Sequence, residues 1–373
     1  MTRHVLIVGA GISGLTLAQA LQQAGIQVTL IEKVAAFRPV GAGLILSVNA
    51  LQVLQRLSLM EGLQDVGRQL TGAVLTDVLG RPLQTLHYPE YGSAVALHRA
   101  DLQARLSHGL QQDIRFGTTV GAIRQRPGGV VVTLSDASVH SVDCVVGADG
   151  VHSAIRQLTF GDVGLRYAGY TSYRFVTQTE WEGTTAAEMW GRGRRLGLVP
   201  LSGNRVYCYV TANAREGATE LVGNSVDALR ALCRDFQGPA LGMLKVLPAT
   251  TPVIRTDIHE VNLNDWAQGH VALIGDAAHA MTPNLGQGAA MGIEDAFVLG
   301  RALASGRTVV EALKTYERLR QRRVRKIQLA SRQMGLLGQL ESPWLSTAAR
   351  VLMRATPPAL SQRATRALLT FPS

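Results

Sequence analysis

Residues 4–8, His-Val-Leu-Ile-Val, run directly into Gly9-Ala-Gly-Ile-Ser-Gly14; helical spacing follows from Leu15, and a second apolar stretch runs from Gln27 to Glu32. Strand, glycine turn, helix and strand in so short a span form the βαβ unit of a dinucleotide-binding fold, which constrains the whole chain to an α/β class. The three glycines act differently. Gly9 permits the tight turn, Gly11 lets a pyrophosphate approach the backbone, and Gly14 lets helix and strand pack closely. The helix N-terminus then offers unpaired N–H groups and a favourable dipole to phosphates. Glu32, 18 residues past Gly14, ends the second strand where a carboxylate binds ribose hydroxyls. Ser13 in the turn and Lys33 beside the acid complete this candidate set. The pattern leaves NAD and FAD undistinguished.

Composition excludes several alternatives. The chain has 373 residues, 46% hydrophobic and 17% charged, as expected of a globular enzyme of one large or two ordinary domains. It lacks an apolar run of the roughly 18 residues that a membrane-spanning helix needs. Arg3 and the apolar residues after it imitate a signal peptide, but Gly9, Gly11 and Gly14 fall inside that stretch and favour a buried strand. Cys144, Cys208 and Cys233 are odd in number and widely spaced, so they predict neither disulfides nor a metal site, but buried thiols in a reducing cytoplasm. The net charge of +10 favours anionic partners, and much of it gathers at Arg318, Arg320, Arg322, Arg323, Arg325, Lys326 and Arg332. No nucleic-acid motif and no interleaved aromatics accompany that run. It is expected to be a solvated basic helix, with loose contact to a membrane surface as the alternative.

Farther along, a helix is expected from about Ser47 to Leu59, strands over 69–97 with a turn at 79–82, and a helix from Arg99 to Leu110. A meander over 114–150 ends in the apolar strand Cys144-Val-Val-Gly-Ala and meets Asp149-Gly150. Residues 165–260 are β-rich around a helix near 226–236, and the last third is helical. The expected architecture is a discontinuous Rossmann-like nucleotide domain over 1–70, 98–164 and 265–330. A β-sheet-rich substrate domain over 71–97 and 165–264 is inserted into it, and a helical segment follows over 331–373. Oligomeric state is not legible.

The later segments separate FAD from NAD. Asp276 follows the apolar strand Val271-Ala-Leu-Ile, at the strand end where an open α/β sheet exposes its crevice. A short carboxylate there accepts hydrogen bonds from a polyol such as the ribityl chain of FAD. Ten residues on, Gly286-Gln287-Gly288 precedes a helix start at Ala289 and Ala290, whose N–H groups and dipole suit the negative charge of a reduced flavin.

Three motifs in this order, Gly9-Ala-Gly-Ile-Ser-Gly14, Gly147-Ala-Asp-Gly-Val-His-Ser-Ala-Ile-Arg156 and Gly275-Asp-Ala-Ala-His-Ala-Met-Thr-Pro-Asn-Leu-Gly-Gln-Gly288, resemble the flavoprotein aromatic hydroxylases of the para-hydroxybenzoate hydroxylase type. Arg38-Pro-Val-Gly-Ala-Gly43 and Arg99 to Leu106 also match family positions. The resemblance implies that Arg99 contacts FAD, that Asp276 binds the ribityl chain and that residues 286–290 hold the pyrimidine edge of the flavin. It links Asp149 and Gly150 to both FAD and NAD(P)H. Within the family, Trp190 to Gly197, Met281 to Met291 and Glu341-Ser-Pro-Trp344 look most like the bacterial alkylquinolone ring hydroxylases, with urate hydroxylases sharing the frame around Arg195 and Tyr207.

The implied reaction is reduction of FAD by NAD(P)H, addition of O2 at flavin C4a, and hydroxylation of an aromatic or heteroaromatic small molecule by the hydroperoxide, with the protein orienting the ring and excluding water. Arg195, Tyr207 and His279 are the candidates for activating the substrate, and Pro283 for a rigid apolar wall before the flavin. Each has a plainer reading, as a strand cation, a core aromatic or a packed loop residue. Trp190 and Tyr209 would line the pocket or belong to the core. A flavin-dependent reductase or dehydrogenase, a peripheral-membrane quinone-ring hydroxylase and a non-catalytic nucleotide sensor are the rival functions.

Overall fold

The computed structural model describes residues 3–37, 42–110, 113–179, 181, 183–218 and 226–371; positions 38–41 of the expected Arg38–Gly43 motif lie outside them. Its first sheet has six strands in the order Ala267–Gln268, Val271–Leu273, Cys144–Gly147, His4–Val8, Gln27–Ile31 and Ile114–Arg115. All but the first of these pair in parallel. Segments far apart in the chain therefore share one sheet, and their carboxyl ends open on one edge. The central strands are apolar along their whole length because both faces are covered. Helices Ile12–Gln23 and Gly288–Ala304 pack on each other over the sheet, while Val130, Val132 and Leu134 of an antiparallel meander enter the same core.

A second, seven-stranded sheet runs in the order Ile254–Glu260, Arg166–Gln178, Arg205–Asn213, Arg194–Pro200, Thr185–Trp190, Gly72–Asp77 and Pro82–His87. Strand alternation separates two faces. Phe175, Leu196, Leu198, Cys208 and Val210 pack beneath helices Val226–Leu232 and Pro239–Val246. The second of these helices is an addition to the sequence reading; its Pro-first, Gly-flanked start ends the preceding turn at Gly238. The opposite face aligns Trp190, Arg195 and Thr211 across neighbouring strands, with Tyr209 opposite Gly197 and Tyr207 opposite Val199. Ala94–His98, by contrast, pairs with Gly43–Leu46 and Arg68–Leu70 in a separate three-stranded sheet.

The basic run belongs to the 30-residue helix Val309–Gly338, opened by a reciprocal Thr308–Glu311 capping box. The expectation of a solvated basic helix needs correction at two residues. Arg320 is buried, donating to Glu294 and Asp295, and Arg323 donates to both oxygens of Glu294. Glu294 and Asp295 lie on the helix that starts at Gly288, so these ion pairs clamp the long helix to the element carrying the glycine loop. Removing one partner of such a buried pair costs about 3–5 kcal/mol, because the other charge is stranded. Arg318, Arg322, Arg325, Lys326 and Arg332 remain exposed. The three cysteines are buried and unbridged.

Candidate active site

The glycine turn is built as its sequence demands. Gly9 has φ +106, and a Cβ there would lie 2.5 Å from the Ala148 carbonyl oxygen; a Cβ on Gly14 would lie 1.9 Å from the carbonyl oxygen of Gly9. Nothing lies within 4 Å of a Cβ built on Gly11, so the space beside it is open. Gly11 is also the N-cap of helix Ile12–Gln23, with no side chain capping it. Open space in front of unpaired helix N–H groups fits a pyrophosphate.

Several surrounding residues position this turn. The Ala10 N–H donates to the Glu32 carboxylate at 2.8 Å, and Gln103 Nε2 donates to the Ala10 carbonyl at 2.8 Å. Arg99 lies one helical turn before Gln103, is exposed, and has no guanidinium partner among the described residues. Lys33 is exposed beside Glu32. No sequence signal marks Gln103, because a lone amide on a helix carries no motif.

Asp149 uses its carboxylate locally: it accepts from the Ser153 hydroxyl at 2.5 Å and from the Ile155 N–H at 3.1 Å, ordering the helix Ala154–Phe160. Burial raises its pKa against the pull of those bonds. Gly150 follows at φ +82, and Arg156 donates to the Ala277 carbonyl, tying this segment to the one after Asp276.

Asp276 is the exposed residue in an otherwise buried run from Val271 to Ala280, and its carboxylate has no partner among the described residues. One of its oxygens lies 4.0 Å from a Cβ built on Gly288. Gly286 turns at φ +63, and helix Gly288–Ala304 begins after Gln287 with no side-chain cap, which leaves the first N–H groups around Ala289 and Ala290 available. The Gln287 side chain is buried away from them, donating to Ser47 and accepting from Asn49. An unpaired carboxylate facing an uncapped helix start suits a polyol attached to a ring that becomes negative, the donor set a ribityl-flavin requires. The strands ending near Glu32 and Asp276 stand three strand spacings apart, about 15 Å at the usual separation. The glycine turn bridges them, since Ser13 packs against Gly275.

Pro283 is exposed at the start of the turn Pro283–Leu285. Asn284 behind it accepts from Arg195 Nη2 at 2.5 Å and from the Tyr170 hydroxyl at 3.1 Å, and donates to the Ser331 carbonyl. Arg195 is only 1% exposed, also reaching Glu188 and Thr211. It is thus a buried post joining the sheet to the Pro283 turn, rather than a surface cation. Glu188 gathers three donors: Arg195, the Trp190 indole N–H at 2.6 Å and the Tyr209 hydroxyl. Burial, then the adjacent carboxylate, pushes the Tyr209 hydroxyl well above the ordinary phenol range.

The surroundings of Tyr207 and His279 bear on their expected roles. Burial pushes Tyr207 up to about 12, so near neutrality it offers a proton rather than taking one. His279 is buried against Trp266, with Nε2 2.5 Å from Asp295, whose other oxygen accepts from Arg320. It orders the segment after Asp276 within the buried ion-pair cluster. Glu188 is the carboxylate that the structure adds to this face; no spacing rule relates it to Tyr209, which sits on another strand. A cavity of about 680 Å³ adjoins this region, with Tyr170 and Thr282 in one wall and Gly335, Leu336 and Leu340 in another.

Residues 2–331 match the family model described as FAD binding domain. The chain is 38% identical to the 2-heptyl-3-hydroxy-4(1H)-quinolone synthase of Pseudomonas aeruginosa, over 98% of this chain and 97% of that one. It is 34% identical to the aurachin C monooxygenase/isomerase of Stigmatella aurantiaca, over 94% and 93% respectively. Among solved structures, Klebsiella pneumoniae HpxO in complex with FAD and uric acid superposes with a TM-score of 0.89 at 26% identity, covering 98% of this chain and 96% of that one. The chain therefore belongs to the FAD binding domain family, and within it to the FAD-dependent monooxygenases of the aromatic-hydroxylase type.

Proposed function

We propose that this monooxygenase hydroxylates a neutral heteroaromatic ring of the 4-quinolone type, with NAD(P)H as electron donor and O2 as co-substrate. The observation that carries the substrate class is the pairing of Arg195 with Glu188, which commits the buried guanidinium to an internal carboxylate. An anionic ring such as urate would need that cation for itself. Arg174, on the same sheet face, donates to Thr256. A neutral ring with one N–H and one carbonyl instead meets the Tyr207 hydroxyl as a donor and the Tyr209 oxygen as an acceptor, the Tyr209 proton being held by Glu188. The quinolone and aurachin relatives, at 38% and 34% identity, support this class.

Glu32, Gly9, Gly11, Ser13, Gly14, Lys33 and Arg99 would hold the adenosine and pyrophosphate half of FAD. Asp276 and the backbone of Gly286, Gln287, Gly288, Ala289 and Ala290 would hold the ribityl-flavin half, with Asp149 and Gly150 ordering the floor between them. When bound, FAD supplies the hydride acceptor and the oxygen-activating centre. Pro283 presents a rigid surface without an N–H to the reacting ring, and Asn284 fixes that surface to Arg195. Tyr209 donates to Glu188, so a proton leaving the substrate at the Tyr209 hydroxyl can pass to that carboxylate. The division into a nucleotide domain (1–70, 98–164, 265–330), a substrate domain (71–97, 165–264) and a C-terminal segment (331–373) is part of the same reading.

The test is a panel of 2-alkyl-4-quinolones, urate, salicylate and simple phenols, each scored for stimulation of NAD(P)H oxidation and for hydroxylated product against peroxide. Quinolones should give coupled turnover. Coupled turnover on urate or salicylate alone would overturn the substrate class, and substrate turnover without oxygen uptake would point to a reductase.

A further inference from the structure

Helix Pro343–Ala355 turns its apolar side outward. Trp344 is 85% exposed, Leu345 58%, Val351 59% and Leu352 69%. With Ala348 and Ala355 these positions recur at helical spacing along one face, which in a globular domain is the face that packs inward. Near the end of the preceding long helix Leu336 is 60% exposed and Leu337 43%. An uncovered apolar surface of this extent marks an interaction site.

The charge around it indicates what covers it. None of residues 342–373 is acidic, whereas Arg350, Arg363 and Arg366 are basic; Arg354 is tied to Asp77. The long helix adds exposed Arg322, Arg325 and Lys326, whereas Arg320 and Arg323 are neutralised internally. Among the described residues no helix is long and apolar enough to cross a membrane. An amphipathic helix with aliphatic side chains and Trp on one face, amid basic residues, has the composition of a segment lying in a lipid interface.

We propose that helix Pro343–Ala355 and the adjoining end of the long helix dock the enzyme peripherally on an anionic phospholipid bilayer. The exposed apolar face enters the headgroup boundary while the basic side chains meet lipid phosphates. Leu336 also lines the cavity of about 680 Å³ beside the Pro283 turn, so the docked surface and that cavity share a residue. This inference goes beyond the substrate class and stands without it.

Flotation of the FAD-loaded, full-length enzyme tests it, with vesicles of pure phosphatidylcholine and vesicles containing phosphatidylglycerol. The enzyme should float with the anionic vesicles and largely stay behind with the neutral ones. Trp344→Ser combined with Leu352→Ser should lose flotation, and Arg322→Gln combined with Lys326→Gln should reduce it, with flavin content and melting temperature unchanged in both. Failure of the parent enzyme to float with anionic vesicles overturns the proposal. So does a dimer in lipid-free solution that the apolar double variant splits into monomers, because a second copy then covers the face. Flotation needs no turnover, so its outcome is independent of the quinolone assignment.

Discussion

The Ser13 side chain occupies the space a larger residue would need at Gly292: a Cβ built there would lie 2.0 Å from the Ser13 hydroxyl oxygen. Gly275 makes the same approach from the strand side, at 2.5 Å. The first glycine turn and the Asp276 segment, more than 260 residues apart in the chain, are therefore in direct contact. Gly292→Ala should force the Ser13 hydroxyl out of this space and crowd its Cβ, 3.2 Å away, so that the two halves of the candidate cofactor site pack less well. The expected cost is about 1–3 kcal/mol of stability, read by urea unfolding, together with weaker FAD retention on gel filtration.

Asp276→Ala should behave differently. The carboxylate is exposed and holds no partner among the described residues, so folding should barely change. Loss of hydrogen bonds to a charged group costs roughly 1.5–3 kcal/mol, and FAD affinity should fall by about 10- to 150-fold. Fluorescence titration of the apoprotein measures it.

The division of labour around Glu188 predicts that substitutions at Glu188 and Arg195 fail in different ways. Glu188→Gln keeps the shape of the side chain but cannot receive a proton, so kcat should drop by about a hundredfold or more, with KM for the ring changed little. Arg195→Gln should instead loosen the Pro283 turn and raise the share of NAD(P)H lost to peroxide. Steady-state kcat together with the product-to-NAD(P)H ratio distinguishes the two.

Asp295 carries an acid-stability prediction. Burial alone would raise its pKa, but His279 and Arg320 outweigh burial and hold it at about 2, below the free value of 3.8. A depressed folded-state pKa contributes stability that is complete above about pH 4 and disappears as pH falls through about 2. The contribution is on the order of 2 kcal/mol. Unfolding midpoints of the parent should fall across that window, and Asp295→Asn should be less stable at neutral pH with a flatter acid limb.

The turns of the candidate cofactor site were legible in the sequence because they are made of backbone. Gly9 and Gly14 mark places where a side chain cannot go, Gly286 turns in the left-handed region that L residues rarely adopt, and Asp276 ends an apolar strand; such constraints are written locally. Glu188, Asn284 and Gln103 were not legible, because their roles arise from register between strands and from a loop meeting a sheet. The buried Arg320 cluster escaped for a related reason: the basic residues of one helix look alike until Glu294 and Asp295 are placed opposite two of them. His279 lies in a motif but serves its fold, since Asp295 and Trp266 enclose it.

Whether this chain inserts one atom of dioxygen into a quinolone-type ring is decided by turnover of a 2-alkyl-4-quinolone under isotopically labelled dioxygen, with the product analysed by mass spectrometry. One labelled oxygen is expected in the new ring hydroxyl, and none when the label is supplied as water. A product labelled from water, or NAD(P)H oxidation with no labelled product from any ring in the panel, would contradict that reaction.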